Sequence, residues 1–109
     1  FHDHLFRFGG EEFVVLMRCG SDADAAGAFE RLRANVEGFQ FPQVGHITVS
    51  VGFSALRPAD TPSAAFERAD KAVYWAQQNG RNRVAHHAEL VAQGLVTEAT
   101  VENKDAELF

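Results

Sequence analysis

The chain has 109 residues, 46% of them hydrophobic and 11% aromatic, with 15 acidic against 10 basic side chains and a formal charge of -5. That allows one small domain with a core, and it argues against general disorder and against a nucleic-acid-coating surface. The single Cys19 excludes an internal disulfide and a CxxC metal site, no apolar run approaches the ~20 residues of a membrane span, and Phe1-His2-Asp3-His4 is no signal or transit peptide.

With no initiator Met, the chain reads as cut from something longer, in a soluble, reducing, cytoplasmic setting. Residues 85 to 109 carry Lys104 alone against Glu89, Glu98, Glu102, Asp105 and Glu107, whereas the rest is nearly neutral. A globular portion, 1–85, followed by an acidic tail, 86–109, is therefore expected.

Leu5 to Phe8 and Phe13 to Met17 are short apolar runs separated by Gly9-Gly10-Glu11-Glu12, which predicts a β-hairpin with a glycine-containing connection. Ser21 and Asp24 resemble a capping box, and Ala25, Phe29, Leu32, Val36 and Phe39 then recur at helical spacing until Gly38 stops the run. Arg31, Arg33 and Glu37 fall off that stripe and read as a solvated face. From Ile47 the chain alternates, with Ile47, Val49, Val51 and Phe53 on one side and Thr48, Ser50, Gly52 and Ser54 on the other. This predicts a strand whose small-residue face lies close to a helix or a ligand.

Thr61-Pro62-Ser63 opens a second helix with an alanine-rich stripe, and Asn79-Gly80 ends it. Arg81 to Val84 begins a last strand or extended exit. A further helix over Glu89 to Val96 precedes a frayed terminus. Hairpin, helix, strand, helix, strand is an α+β order, with an antiparallel sheet covered by helices.

Adjacent carboxylates at a glycine turn carry the chemistry. Glu11 and Glu12 can both reach a divalent ion over the turn, and hard cations favour carboxylate and phosphate oxygens together. A solvated hairpin tip is the plain alternative. Zinc binding by His2, His4, His86 and His87 lacks placed partners. Tyr74 and Trp75 suit core or interface packing, and Cys19 has no activating neighbour.

Arg7-Phe8-Gly9-Gly10-Glu11-Glu12-Phe13 resembles the signature of the GGDEF family, the diguanylate cyclases. Val49-Ser50-Val51-Gly52, and Ala69-Asp70-Lys71-Ala72-Val73-Tyr74 through Gly80-Arg81-Asn82, are similar to two further family stretches in the right order. The resemblance implies the C-terminal portion of a palm-like α+β domain similar to nucleotidyl cyclases, with a mostly antiparallel sheet and covering helices. It implies two facing domains, each holding one GTP, that form cyclic di-GMP with Mg²⁺ or Mn²⁺. Glu11 and Glu12 match the catalytic and metal-binding carboxylates, whose roles stay undivided because carboxylates on shared metals titrate together. Gly9 and Gly10 match glycines against which the nucleotide lies, and Arg81 matches a phosphate-contacting arginine. Gln77 stands where the family has a lysine, so an amide dipole replaces a full charge. Asp3 matches the aspartate of a product-inhibition motif, or else caps the strand start.

The family's first strand, with its metal-binding aspartate, and its guanine-reading helices have no counterpart in the sequence. The expectation is a fragment, inactive by itself, which self-associates or swaps elements through its open edges. An unseen sensory domain upstream is implied. The rival readings are a degenerate module that binds GTP or cyclic di-GMP without turnover, favoured by Gln77, and a ferredoxin-like interaction domain with no nucleotide role.

Overall fold

The computed structural model describes residues 20–98, together with the backbone of the strands 4–7 and 13–16. Strand β1 (His4–Arg7) pairs antiparallel with β2 (Phe13–Leu16), in the register His4↔Leu16 to Arg7↔Phe13. The predicted hairpin is therefore present, and its connection, 8–12, lies outside the described residues.

Helix α1 (Asp22–Gly38) starts where the capping signal stood: Ser21 Oγ accepts from the Asp24 amide at 3.1 Å, and Asp22 and Asp24 face the positive end of the helix dipole. It ends with the Phe39 amide donating to Val36 O. The apolar stripe is only partly covered. Phe29 meets Phe53 at a centroid distance of 5.1 Å, whereas Leu32 is 49% and Phe39 53% exposed.

The alternating run forms a ladder only over β3 (Val51–Phe53). Before it, Phe41 and Gly45 bridge across a tight turn in which Gln43 and Gly45 hold positive φ. Helix α2 (Pro62–Gln78) follows, capped by Thr61, whose hydroxyl accepts from the Ala64 amide. Strand β4 (Val84–His86) then pairs with β3 in parallel, Val51↔Val84 to Phe53↔His86. The sheet is thus less antiparallel than predicted. A long helix between two strands returns the chain to the end where the first strand began, and parallel pairing is the outcome.

Close packing of α2 on this pair answers the open question about the small face. A Cβ at Gly52 would lie 2.2 Å from the Val73 amide nitrogen and 2.5 Å from Ala69 O. The helix itself occupies that face. Ser54 donates to Ala65 O in the same seam. Among the described residues the buried core is Phe53, Ala72, Ala76, Ala85 and Leu90, and His87 is the buried polar side chain. Phe53 also stacks on His86 at 4.5 Å.

The last helix, α3 (His87–Ala92), begins and ends earlier than predicted. Gly94, with φ +75, lets the Leu95 amide return to Leu90 O at 2.9 Å, which stops the helix at Ala92, four residues short of Val96. The predicted frayed end, 100–109, lies outside the described residues. Among the described residues, no helix is long and apolar enough to cross a membrane.

Candidate functional site

The expected site has two parts. Gly9, Gly10, Glu11 and Glu12 lie on the connection between β1 and β2, outside the described residues, as do Asp3, His2 and Cys19. The second part, Gln77 and Arg81, is described in full.

Gln77 is half-buried on the last turn of α2. Gly80 follows the Asn79 cap with φ +108, and the Arg81 amide returns to Ala76 O at 2.8 Å, so the helix closes as a Schellman turn. Arg81 (φ 58) and Asn82 (φ 51) then both occupy the left-handed region. Two consecutive side-chain-bearing residues there cost free energy that the surroundings must offset.

The offset comes from distant parts of the chain. The Asn82 amide donates to Ser50 Oγ at 3.0 Å. Its side-chain oxygen accepts from Arg33 Nη1 at 2.9 Å, and its side-chain nitrogen donates to Glu37 Oε2 at 2.8 Å. Arg33 is held in turn by Glu30 through two contacts of 2.9 and 2.6 Å, and by Glu37 at 2.9 Å. Hydrogen bonds from Asn82, and then from Arg33, hold the Glu37 carboxyl below its ordinary pKa. The Arg33 hydrogen bond lowers Glu30 likewise, and both carboxylates raise Arg33. Arg83 donates to Asn79 O and lies over the Trp75 ring at 5.0 Å.

Arg33 is thus not the solvated side chain that the sequence suggested, while Glu37 stays half exposed and is held by hydrogen bonds. The spacing of Glu30, Arg33 and Glu37 announces a helical ion-pair ladder, but nothing local announces Asn82. Arg81 itself is exposed, and among the described residues its guanidinium meets no carboxylate. The amides of Arg81 and Asn82 are already bonded, so what this loop offers a ligand is the guanidinium fork, whose geometry suits phosphate oxygens.

A second polar cluster fastens the segment after α3. Arg68 forks onto Asp60 at 2.9 and 2.5 Å, Arg57 meets Glu98 at 2.5 Å, and Lys71 donates to Thr97 O at 2.8 Å. Arg57, Asp60, Arg68, Lys71, Glu98 and His87 line a cavity of about 380 Å³. Both ring nitrogens of His87 are buried without a hydrogen-bond partner, and burial lowers its pKa. His86 Nε2 lies 3.3 Å from Asp22 Oδ2. Among the described residues no group of three His, Cys, Asp or Glu could hold a metal ion. Trp75 packs on the core as expected, while Tyr74 is 63% exposed.

Comparison with known proteins identifies the family. The family described as "Diguanylate cyclase, GGDEF domain" matches residues 2–83. The response regulator PleD of Caulobacter vibrioides is 43% identical over 88 residues, which is 75% of this chain and 19% of that protein. Diguanylate cyclase A of Treponema denticola is 40% identical over 86 residues, 75% of this chain and 23% of that protein. Among solved structures, the GGDEF domain of DgcB from Caulobacter crescentus, in complex with c-di-GMP, superposes with a TM-score of 0.73 at 32% identity, covering 79% of this chain and 54% of that one. The active GGEEF domain of a diguanylate cyclase from Vibrio cholerae gives 0.70 at 33% identity, covering 79% and 56%. The chain therefore spans about a fifth of the curated relatives and about half of the solved domains. A match over residues 2–83, at this level of identity and with this superposition, means that the chain belongs to the GGDEF domain family.

Proposed function

We propose that this chain supplies the signature hairpin and phosphate-binding loop of a diguanylate cyclase, which joins two GTP molecules into cyclic di-GMP. The observation that carries the reading is the Gly-Gly-Glu-Glu-Phe sequence at the connection of a hairpin whose flanking strands are paired up to Arg7↔Phe13. Its five connecting residues hold two glycines and two carboxylates, an oxygen-donor set that fits Mg²⁺ or Mn²⁺. Glu11 and Glu12 would hold the metal, which when bound neutralises phosphate charge and promotes ionisation of the attacking hydroxyl. Gly9 and Gly10 leave room for the nucleotide against the backbone. Arg81 orients the phosphate chain with its fork, and Gln77 adds a neutral amide donor. The 3′-hydroxyl of one GTP attacks the α-phosphate of the other, pyrophosphate leaves, and the reciprocal step closes the ring. Two domains must face each other, so a homodimer in the cytoplasm is the working unit. A monodisperse monomer in sedimentation, with GTP and Mg²⁺ present, would count against it.

The test is direct. The protein is incubated with GTP and Mg²⁺, and cyclic di-GMP is resolved by chromatography. Product is expected from the complete protein that carries this segment and not from the 109 residues alone. Glu11→Gln and Glu12→Gln should each abolish it. Product formed at the wild-type rate by both variants would overturn the reading. Asp3 is proposed to bind product as part of an inhibitory site, and Asp3→Ala should weaken cyclic di-GMP binding.

A second reading has one observation in its favour, the neutral Gln77 in place of a lysine. There the module binds GTP or cyclic di-GMP without turnover and regulates a neighbouring domain. Nucleotide binding by calorimetry, with no product in the assay of the complete protein, would select it.

A further inference from the structure

We propose that Arg33 and Glu37 of α1 are positioning residues for nucleotide phosphate: through Asn82 they hold the loop that presents Arg81. The proposal rests on the reading of Arg81 as a phosphate contact. Its own ground is the geometry of the loop.

Arg81 and Asn82 sit side by side in the left-handed region, which Asn tolerates better than most side-chain-bearing residues and Arg does not favour. The bonds that keep Asn82 there do not come from α2, the helix it follows. They come from Ser50, 32 residues before it, and from Arg33 and Glu37, 49 and 45 residues before it. Asn82 is thus a buckle whose side-chain amide is used at both ends. The strap is not loose either. Arg33 is 16% exposed, and its fork is fixed by Glu30 and Glu37 before it reaches Asn82. A planar fork with several fixed donors can satisfy three partners at once, which a lysine ammonium on a flexible stem does poorly. On the far side Arg83 ties Asn79 O, so the loop is held before and after Arg81 while the Arg81 side chain stays exposed. Freed from Arg33, Asn82 can relax to negative φ, and the direction of the Arg81 side chain changes with it.

Arg33→Met keeps the apolar stem and removes the fork. Two measurements are made. The first needs no nucleotide: backbone chemical shifts of Arg81 and Asn82 should move out of the left-handed range in Arg33→Met, and to a smaller extent in Arg33→Lys. The second is GTP affinity by calorimetry with Mg²⁺, on the protein with and without Arg81→Ala. Arg33→Met should weaken GTP about fivefold when Arg81 is present and leave affinity unchanged when Arg81 is already alanine. Glu37→Ala serves in its place if Arg33→Met does not fold. Unchanged backbone shifts overturn the proposal. So does an equal loss of affinity in both backgrounds, because the effect then does not pass through Arg81. Undetectable GTP binding by the wild type, or a silent Arg81→Ala, removes the phosphate reading and the proposal together. A damaging Arg81→Ala beside a silent Arg33→Met removes the proposal alone.

Discussion

Gln77 is the residue at which chemistry and fold separate most cleanly. Its place on the last turn of α2, one turn before Arg81, is set by helix geometry and not by its own identity. A lysine there would reach the same space with a full charge. Charge-assisted hydrogen bonds contribute about 1.5–3 kcal/mol, against about 1 for a neutral one. Gln77→Lys is therefore expected to tighten GTP binding by about tenfold and to leave thermal stability almost unchanged. Calorimetric titration with GTP checks this, and an unchanged affinity would mean that position 77 does not face the phosphates. The helix end that carries Gln77 and Arg81 was legible in the sequence because its residue types stand at fixed offsets. The Arg33–Asn82–Glu37 bracket was not legible, since its partners lie 45 to 49 residues apart and the sequence records no contact between α1 and the loop.

Among the elements, β3, α2 and β4 form the unit that places that helix end. The alternation around Gly52 showed a strand with one small face, but a helix and a ligand leave the same trace in sequence. The structure decides for the helix, because Val73 N and Ala69 O stand where a Cβ would go. Gly52→Ala then forces backbone against backbone, which a side-chain rotation cannot relieve. Overpacking of this kind costs about 1–3 kcal/mol or more. The expected result is a clear fall in the thermal midpoint, with loss of GTP affinity through displacement of the Gln77–Arg81 helix end. A midpoint within a degree of wild type would show that α2 does not press on Gly52 in solution. Parallel pairing of β3 with β4 escaped the sequence reading for a related reason: strand patterns report faces, not directions, and direction follows from the length of the helix between. Ser21, Thr61 and Gly80 were readable because capping is local. Gly94 carried the same stop signal, and without the buried Leu90 beside it the apolar run to Val96 looked continuous.

At the scale of the whole molecule, acid should dismantle this fold in two stages. His87 is buried, and loss of hydration lowers its pKa from 6.5. Glu98 opposes that shift, while Lys71, Arg68 and Arg57 reinforce it. Below pH 6.5 the unfolded chain therefore takes up a proton at His87 that the folded chain refuses. The stability tied to a neutral His87 is fully present above that pH and is lost as pH falls below it. Asp60 acts lower on the scale. Hydrogen bonds from the Arg68 side chain and the Arg57 amide hold its carboxyl down to about 2, against 3.8 for an unperturbed aspartate. Its contribution is intact above pH 3.8 and disappears towards about 2. Glu98, lowered mainly by its hydrogen bond from Arg57, shifts in the same sense from 4.5, so the tie on the segment after α3 loosens in that lower stage. Thermal midpoints measured from pH 8 to pH 3 should thus decline first between about 7 and 5 and again below about 4.5. His87→Leu, which cannot be protonated, should flatten the first decline and keep the second. An unaltered slope between pH 7 and 5 in that variant would assign the first stage to a different group, and a lost second stage would detach it from the Asp60–Arg68 and Arg57–Glu98 pairs.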